Sequence, residues 1–156
     1  MDPAHLDLAS LVTIAGPSVT ARIVERLSDE GFDGVKASHG YVVQRLLVDE
    51  PTTTALARSL GMTQQGASKQ VADLATLGYA ERVPVASDQR SSTVRLTERG
   101  RAMVEATRAI RAELEQQVTA RVSARDVAAT RRTLAALVDV LGLTERVTER
   151  SVPEPG

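Results

Sequence analysis

"TTTALARSLGMTQQGASKQVADLATLGY", residues 52–79, decides the fold. Thr52 or Thr53 is placed to cap a short helix ending near Leu60. Gly61 and Met62 then read as a tight turn. Thr63 caps a second helix running to about Leu77, and Gly78 ends it. Ala57, four residues before Gly61, is small enough to let the two helices approach closely. Leu56, Leu60, Ala67, Val71 and Leu74 form one shared apolar seam. Helix, glycine turn and helix are the parts of a helix-turn-helix, but a plain αα-hairpin has similar spacing.

The next segment separates these readings. Ala80 to Val85 reads as a strand, and Pro84 within it marks an edge position. A second strand is expected over about Thr93 to Leu96, so Ala86 to Ser92 becomes a hairpin tip carrying Arg90. In "SDQRSSTVRLTERG", residues 87–100, three arginines stand among three serines and two threonines. Small polar neighbours around Arg90 suit a phosphate backbone and a narrow groove. Two helices followed by a hairpin with arginine at its tip make a winged helix-turn-helix.

Longer helices are expected on both sides of this unit. Residues 4–30 read mostly as helix, with Gly16-Pro17 predicting a kink or short break and Gly31 a C-cap. Phe32 to Lys36 is a connector, and Ser38 to Val48 a short helix with Val42, Val43, Leu46 and Leu47 facing inward. Thr97 caps a long helix that ends around Val122, with Glu98 in its first turn favoured by the helix dipole. Ser123 and Asp126 form a short-armed capping box for a last helix. That helix carries a stripe of Leu134, Leu137, Val138 and Leu141, and Gly142 ends it. The tail from Thr144 to Gly156 is expected to fray. The fold class is therefore mainly α with a small β-hairpin wing.

Composition narrows the function. With 156 residues the chain fits one domain, or a small module plus an oligomerisation element. The three aromatic residues are Phe32, Tyr41 and Tyr79, so aliphatic side chains must build the core. Without cysteine there is no disulfide, thiolate metal site or thiol redox sensor. His5 and His39 are too far apart in sequence to favour a zinc site, and no metal or other cofactor is expected. No phosphate-binding glycine loop or nucleophile–base pair points to an enzyme; Ser38 and His39 are neighbours that do not face one another on a helix. No apolar run approaches the roughly 20 residues of a membrane span, and no signal pattern opens the chain, so a cytoplasmic protein without a membrane partner is expected. The net charge of −1 hides an asymmetry: residues 53–101 carry 7 basic and 4 acidic side chains. That is a weak footprint for a polyanion, and charge alone would not separate it from an ordinary solvated surface.

These residues together resemble the MarR family of bacterial transcriptional regulators. The carrying motifs are "LARSLGMTQQGASKQVADLATLGYAER" and the wing signature of Asp88, Arg90, Leu96 and Thr97, with Gly100 after it. The resemblance covers about residues 4–143. It implies a winged helix-turn-helix over 36–101 and a helical dimerisation domain from 1–35 and 102–146; beyond these, the polar, proline-containing residues 147–156 are expected to be a flexible tail. It also implies a homodimer that binds double-stranded DNA at a palindromic operator and acts as a repressor, with a small aromatic or phenolic effector binding between the domains. Gln70 departs from the family's usual aliphatic residue, and Gly66 lowers helix propensity by about 1 kcal/mol relative to Ala. Pro17 in the first helix is a third departure and bears on the dimer seam.

Each candidate residue has a competing plain reading. Gln64 and Gln65 open the second helix, where glutamine can pair with adenine N6 and N7; otherwise they are exposed or touch only phosphate. Ser68 and Lys69 lie one turn on, and Lys69 suits phosphate or guanine unless it is merely solvated. Thr63 reads as a cap before a reader, although a cap can also bond phosphate. Arg90 suits the minor groove or nearby phosphate, while Asp88 would orient Arg90 or fix the turn. Arg82 and Arg95 face either DNA backbone or solvent. His39 and Tyr41 lie near where the family's effector pocket opens; the plainer reading of His39 is a surface or helix-start residue. The competing function is a winged-helix protein-interaction module that does not bind DNA.

Overall fold

The structure is a computed structural model describing residues 2–85 and 88–149, with backbone alone for residues 4 and 88–91. After a 3-10 turn at Pro3–His5, α1 spans Leu8–Asp29 and α2 spans His39–Leu46. The next pair is α3, Thr53–Leu60, and α4, Gln64–Thr76. An antiparallel hairpin of β1, Ala80–Val85, and β2, Asp88–Leu96, leads into α5, Glu98–Thr119. Helices α6, Ala124–Val140, and α7, Thr144–Thr148, complete the described chain. The mainly α fold with a β-hairpin wing is as expected.

Local chemistry sets most helix starts. Thr52, Thr63, Thr97 and Ser123 each accept, through the side chain, the backbone N–H three residues on. Each satisfies a donor that the helix itself cannot, at about 1 kcal/mol apiece. Asp126 completes the reciprocal capping box with Ser123. Helix α1 ends where the Phe32 N–H reaches Leu27 O at 2.8 Å and the Gly31 N–H reaches Ser28 O at 2.9 Å. Gly31 has φ 84°, which closes this C-terminal motif.

The core lies inside the winged helix. Leu56 and Leu60 from α3 meet Val71 and Leu74 from α4, all at most 1% exposed. Val42 and Leu46 from α2 join them, with Tyr79, Val94 and Leu96 from the wing's base. Full burial of each such aliphatic side chain contributes about 1.5–3 kcal/mol. Ile23 and Leu27 from α1, with Met103, Val104 and Ile110 from α5, extend the cluster towards the long helices. An Arg26–Glu113 ion pair at 3.0 Å also ties α1 to α5.

Four expectations need correction. The second wing strand starts at Asp88, not near Thr93. Pairing continues through Pro84↔Ser92 and, after a register shift, Val85↔Asp88. Backbone bonding holds this ribbon, so its polar run gives no alternation to read. Ala86 and Ser87 of the expected tip lie outside the described residues. Pro17 does not break α1, which runs unbroken from Leu8. The lost Thr13 acceptor bond is one ladder rung, and turns on both sides continue. Residues 144–148 form α7 rather than a frayed tail; of the expected tail over 147–156, residues 150–156 lie outside the described residues.

The fourth concerns apolar length. By length and composition alone α1 could cross a membrane, with mean hydropathy 1.2 over an 18-residue window. Its small hydroxyl residues hide this in a search for continuous apolar runs. Thr13, Ser18 and Thr20 hydroxyls donate to carbonyls four residues back. Ile23 and Leu27 at its other end are buried in the core cluster where α1 packs on α5, which makes α1 a packing helix there.

Candidate nucleic-acid interface

The turn between α3 and α4 fixes which face of α4 meets solvent. Gly61 adopts φ 64°, and the Met62 N–H reaches back to Ala57 O at 3.0 Å. Ala57 is buried at this close approach. Thr63 Oγ1 then accepts the Gly66 N–H at 3.0 Å. A Cβ on Gly66 would come 3.1 Å from that oxygen, so glycine leaves the cap uncrowded. With Ala67, Val71 and Leu74 turned inward and fully buried, Thr63, Gln64, Gln65 and Lys69 are left exposed, and Ser68 half-buried.

The neighbouring elements hold two candidate side chains. Gln64 Nε2 donates to Thr54 Oγ1 at 3.2 Å. Arg82 Nη1 donates to Thr53 Oγ1 at 2.8 Å. Thus Gln64 on α4 and Arg82 on β1 are tied to successive residues of α3. Arg95 instead pairs across the strands with Glu81, Nε to Oε1 at 2.7 Å. The hydrogen bond from this carboxylate raises the Arg95 guanidinium above its ordinary pKa, with the Glu81 charge adding. Arg90 and Asp88 have their backbone in β2, and their expected side-chain roles lie outside the described residues.

A second cluster lies behind α4. Lys36 Nζ donates to Asp73 Oδ2 at 2.9 Å. That bond, with the charges of Lys36, His39 and Lys69, holds the Asp73 carboxyl below its ordinary pKa against the opposing effect of desolvation. His39 begins α2, as expected, but is not a surface residue: it is 1% exposed. Its Nδ1 accepts the Lys36 N–H at 3.2 Å, and its Nε2 lies 3.9 Å from Asp73 Oδ2. Packing of α2 on α4 buries it. Tyr41 is half-buried against the core.

Sequence reasoning missed Thr53 and Thr54 as partners of Arg82 and Gln64. The run of three threonines is the available signal, since capping needs only one of the three hydroxyls. It also missed Glu81 opposite Arg95, which follows once the strand register is known. A charged cleft of about 600 Å³ lies among Arg45, Arg58, Glu145, Arg146 and Glu149. An apolar groove of about 410 Å³ includes Val19, Leu114, Val118, Val122 and Val127. Neither is lined by His39 or Tyr41. No cluster of three or more potential metal ligands occurs among the described residues.

A glycine-turned helix pair with a two-stranded wing, joined to long flanking helices, defines a winged-helix protein with a helical extension. Residues 34–91 match the model of the MarR family. The middle of this chain is therefore similar to the MarR family, over the segment where the sequence resemblance is carried. The S. aureus MepR–DNA complex is 23% identical, with TM-score 0.66, over 85% of this chain and 98% of that one. Wild-type E. coli MarR without ligand is 22% identical, with TM-score 0.64, over 85% of this chain and 97% of that one. Streptococcus pneumoniae FabT in complex with DNA is 17% identical, with TM-score 0.65, over 83% of this chain and 93% of that one. At these identities the likeness is one of fold. A search of curated proteins finds no sequence match.

Proposed function

We propose that the chain is a homodimeric, sequence-specific DNA-binding transcription regulator and acts as a repressor by covering a palindromic operator. One observation carries this reading: the exposed face of α4 presents Gln64, Gln65 and Lys69 together, while its inner face is fixed in the core. Glutamine can read adenine in the major groove, and a nearby lysine can hold phosphate. Arg82 and the wing residue Arg90 would add backbone or minor-groove contacts. Arg95 contributes less to a phosphate contact, since Glu81 already takes its Nε. Thr63 keeps its role as a cap, and Ser68 supports the start of the reading face. Asp88 is assigned to orienting Arg90 in the wing. MepR and FabT, of the same fold, have been solved with DNA.

We assign residues 36–101 to DNA binding and residues 1–35 and 102–146 to dimerisation. Modulation by an aromatic or phenolic effector rests on the family resemblance. His39 and Tyr41 lie on α2, and His39 packs against α4 beside Asp73, which offers such a ligand a route to the reading helix. The protein is assigned to binding rather than catalysis.

The test is selection from a random duplex pool, followed by titration of the enriched duplex and a scrambled one at several salt concentrations. The expected result is tighter binding to the enriched duplex by at least about 10³-fold, with affinity falling as salt rises. Failure to enrich any duplex, with no salt-dependent binding, would favour the protein-interaction module instead.

A further inference from the structure

We infer that Thr54 is a specificity-determining positioning residue, acting on DNA through the amide of Gln64. This rests on the DNA-reading function proposed above and assigns a role within that site. Residues 52–54 are three consecutive threonines, and their hydroxyls have three different tasks. Thr52 Oγ1 accepts the Ala55 N–H at 3.2 Å and caps α3. Thr53 Oγ1 accepts from Arg82 Nη1 at 2.8 Å. Thr54 Oγ1 accepts from Gln64 Nε2 at 3.2 Å. Capping therefore explains only the first.

The chemistry of a glutamine amide gives the third bond its consequence. To read adenine, the amide must accept from N6 through oxygen and donate to N7 through nitrogen at the same time. A free glutamine can present either end and many rotamers. A hydroxyl beside the amide removes much of that rotamer freedom, and here it takes the nitrogen end, with Gln64 Nε2 turned to Thr54 Oγ1. Thr54 uses one N–H of Gln64 and leaves the second N–H and Oε1 for a base. The anchor is itself fixed, because Leu56, Ala57 and Leu60 of the same helix are buried. Side chains held by such a second layer read their targets more sharply than free ones. Thr54 is exposed, so changing its hydroxyl leaves the core intact.

The test uses the full chain with Thr54→Val, Thr54→Ser, Gln64→Ala and the Thr54→Val/Gln64→Ala pair. Affinities for the enriched and scrambled duplexes are measured at several salt concentrations. Thr54→Val should lower the preference for the enriched duplex by about 3- to 10-fold, within the discrimination a bidentate base contact supplies. The salt slope and thermal melting curve should stay as in wild type, and Thr54→Ser should restore the preference. In the Gln64→Ala background, Thr54→Val should have no further effect, because two residues acting through one contact are not additive. Wild-type discrimination by Thr54→Val overturns the inference while leaving the proposed function standing. So does equal weakening on both duplexes, the mark of a direct phosphate contact, and so does an additive effect in the Gln64→Ala background. If wild type itself shows no preference among duplexes, the proposed function and this inference both fail.

Discussion

Gly100 sits where the wing passes into α5, with its backbone against that of Tyr79. A Cβ there would collide with the Tyr79 carbonyl oxygen. Its N–H donates to Thr97 Oγ1 at 3.0 Å, and the Thr97 hydroxyl donates to Gly78 O at 2.6 Å. Tyr79 cannot easily yield. It is fully buried, and its hydroxyl donates to Asp33 O at 2.9 Å. The Arg99 guanidinium lies 5.2 Å from its ring centroid and also donates to Gly31 O at 2.7 Å. Helix propensity alone would favour Ala at position 100 by about 1 kcal/mol. The collision should outweigh it, so Gly100→Ala is expected to destabilise the protein by about 1–3 kcal/mol net, a cost usual for overpacking. Urea unfolding followed by circular dichroism measures this. A midpoint at or above that of wild type would show that the junction relaxes without strain.

At the scale of elements, α4 and the wing should act on DNA in different ways. A base contact from Gln65 discriminates by about 1–3 kcal/mol per base pair. A cationic contact from Arg90 releases counterions on most sequences alike. Gln65→Ala should therefore lower the preference for the enriched duplex and leave the salt slope nearly unchanged. Arg90→Ala should weaken binding to both duplexes and reduce the slope by about one unit per subunit engaged. If Arg90→Ala binds both like wild type with the same slope, the wing makes no useful DNA contact. These elements were not equally legible in the sequence. The starts of α3, α4, α5 and α6 were readable because each cap is a local contact across three residues. The exposed face of α4 followed from its buried seam. The start of β2 was hidden, because cross-strand backbone pairing needs no particular side chain there. Likewise, Thr54–Gln64 spans 10 residues and Thr53–Arg82 spans 29, so only the packed fold brings them together. Burial of His39 depends on α2 meeting α4, which no local pattern encodes.

The molecule as a whole divides its apolar residues unevenly. The winged helix covers its own: Val42, Leu56, Val71, Leu74 and Val94 are fully buried within one chain. The long helices do not. No residue of α6 is buried, although Leu134, Leu137 and Val138, with Leu141 at its C-cap, form an apolar stripe along it. Leu141 is 60% exposed, Val140 82% and Ile14 60%, and Val118 near the end of α5 and Val122 just beyond it are exposed as well. An uncovered set of this kind is a liability in a monomer and an ordinary seam in a dimer. We therefore expect wild type to sediment at micromolar concentration at twice its 16.6 kDa chain mass. A Val118→Glu/Leu134→Glu variant should sediment as a monomer, since burying two new carboxylates in the seam costs more than exposing it. Its winged helix should remain folded, because that core draws nothing from α6. One winged helix per molecule neutralises half as many phosphates as two, so the variant's salt slope on the enriched duplex should be about half that of wild type. A wild-type chain that sediments as a monomer would sink the dimer. A variant that remains dimeric would move the seam away from these two helices.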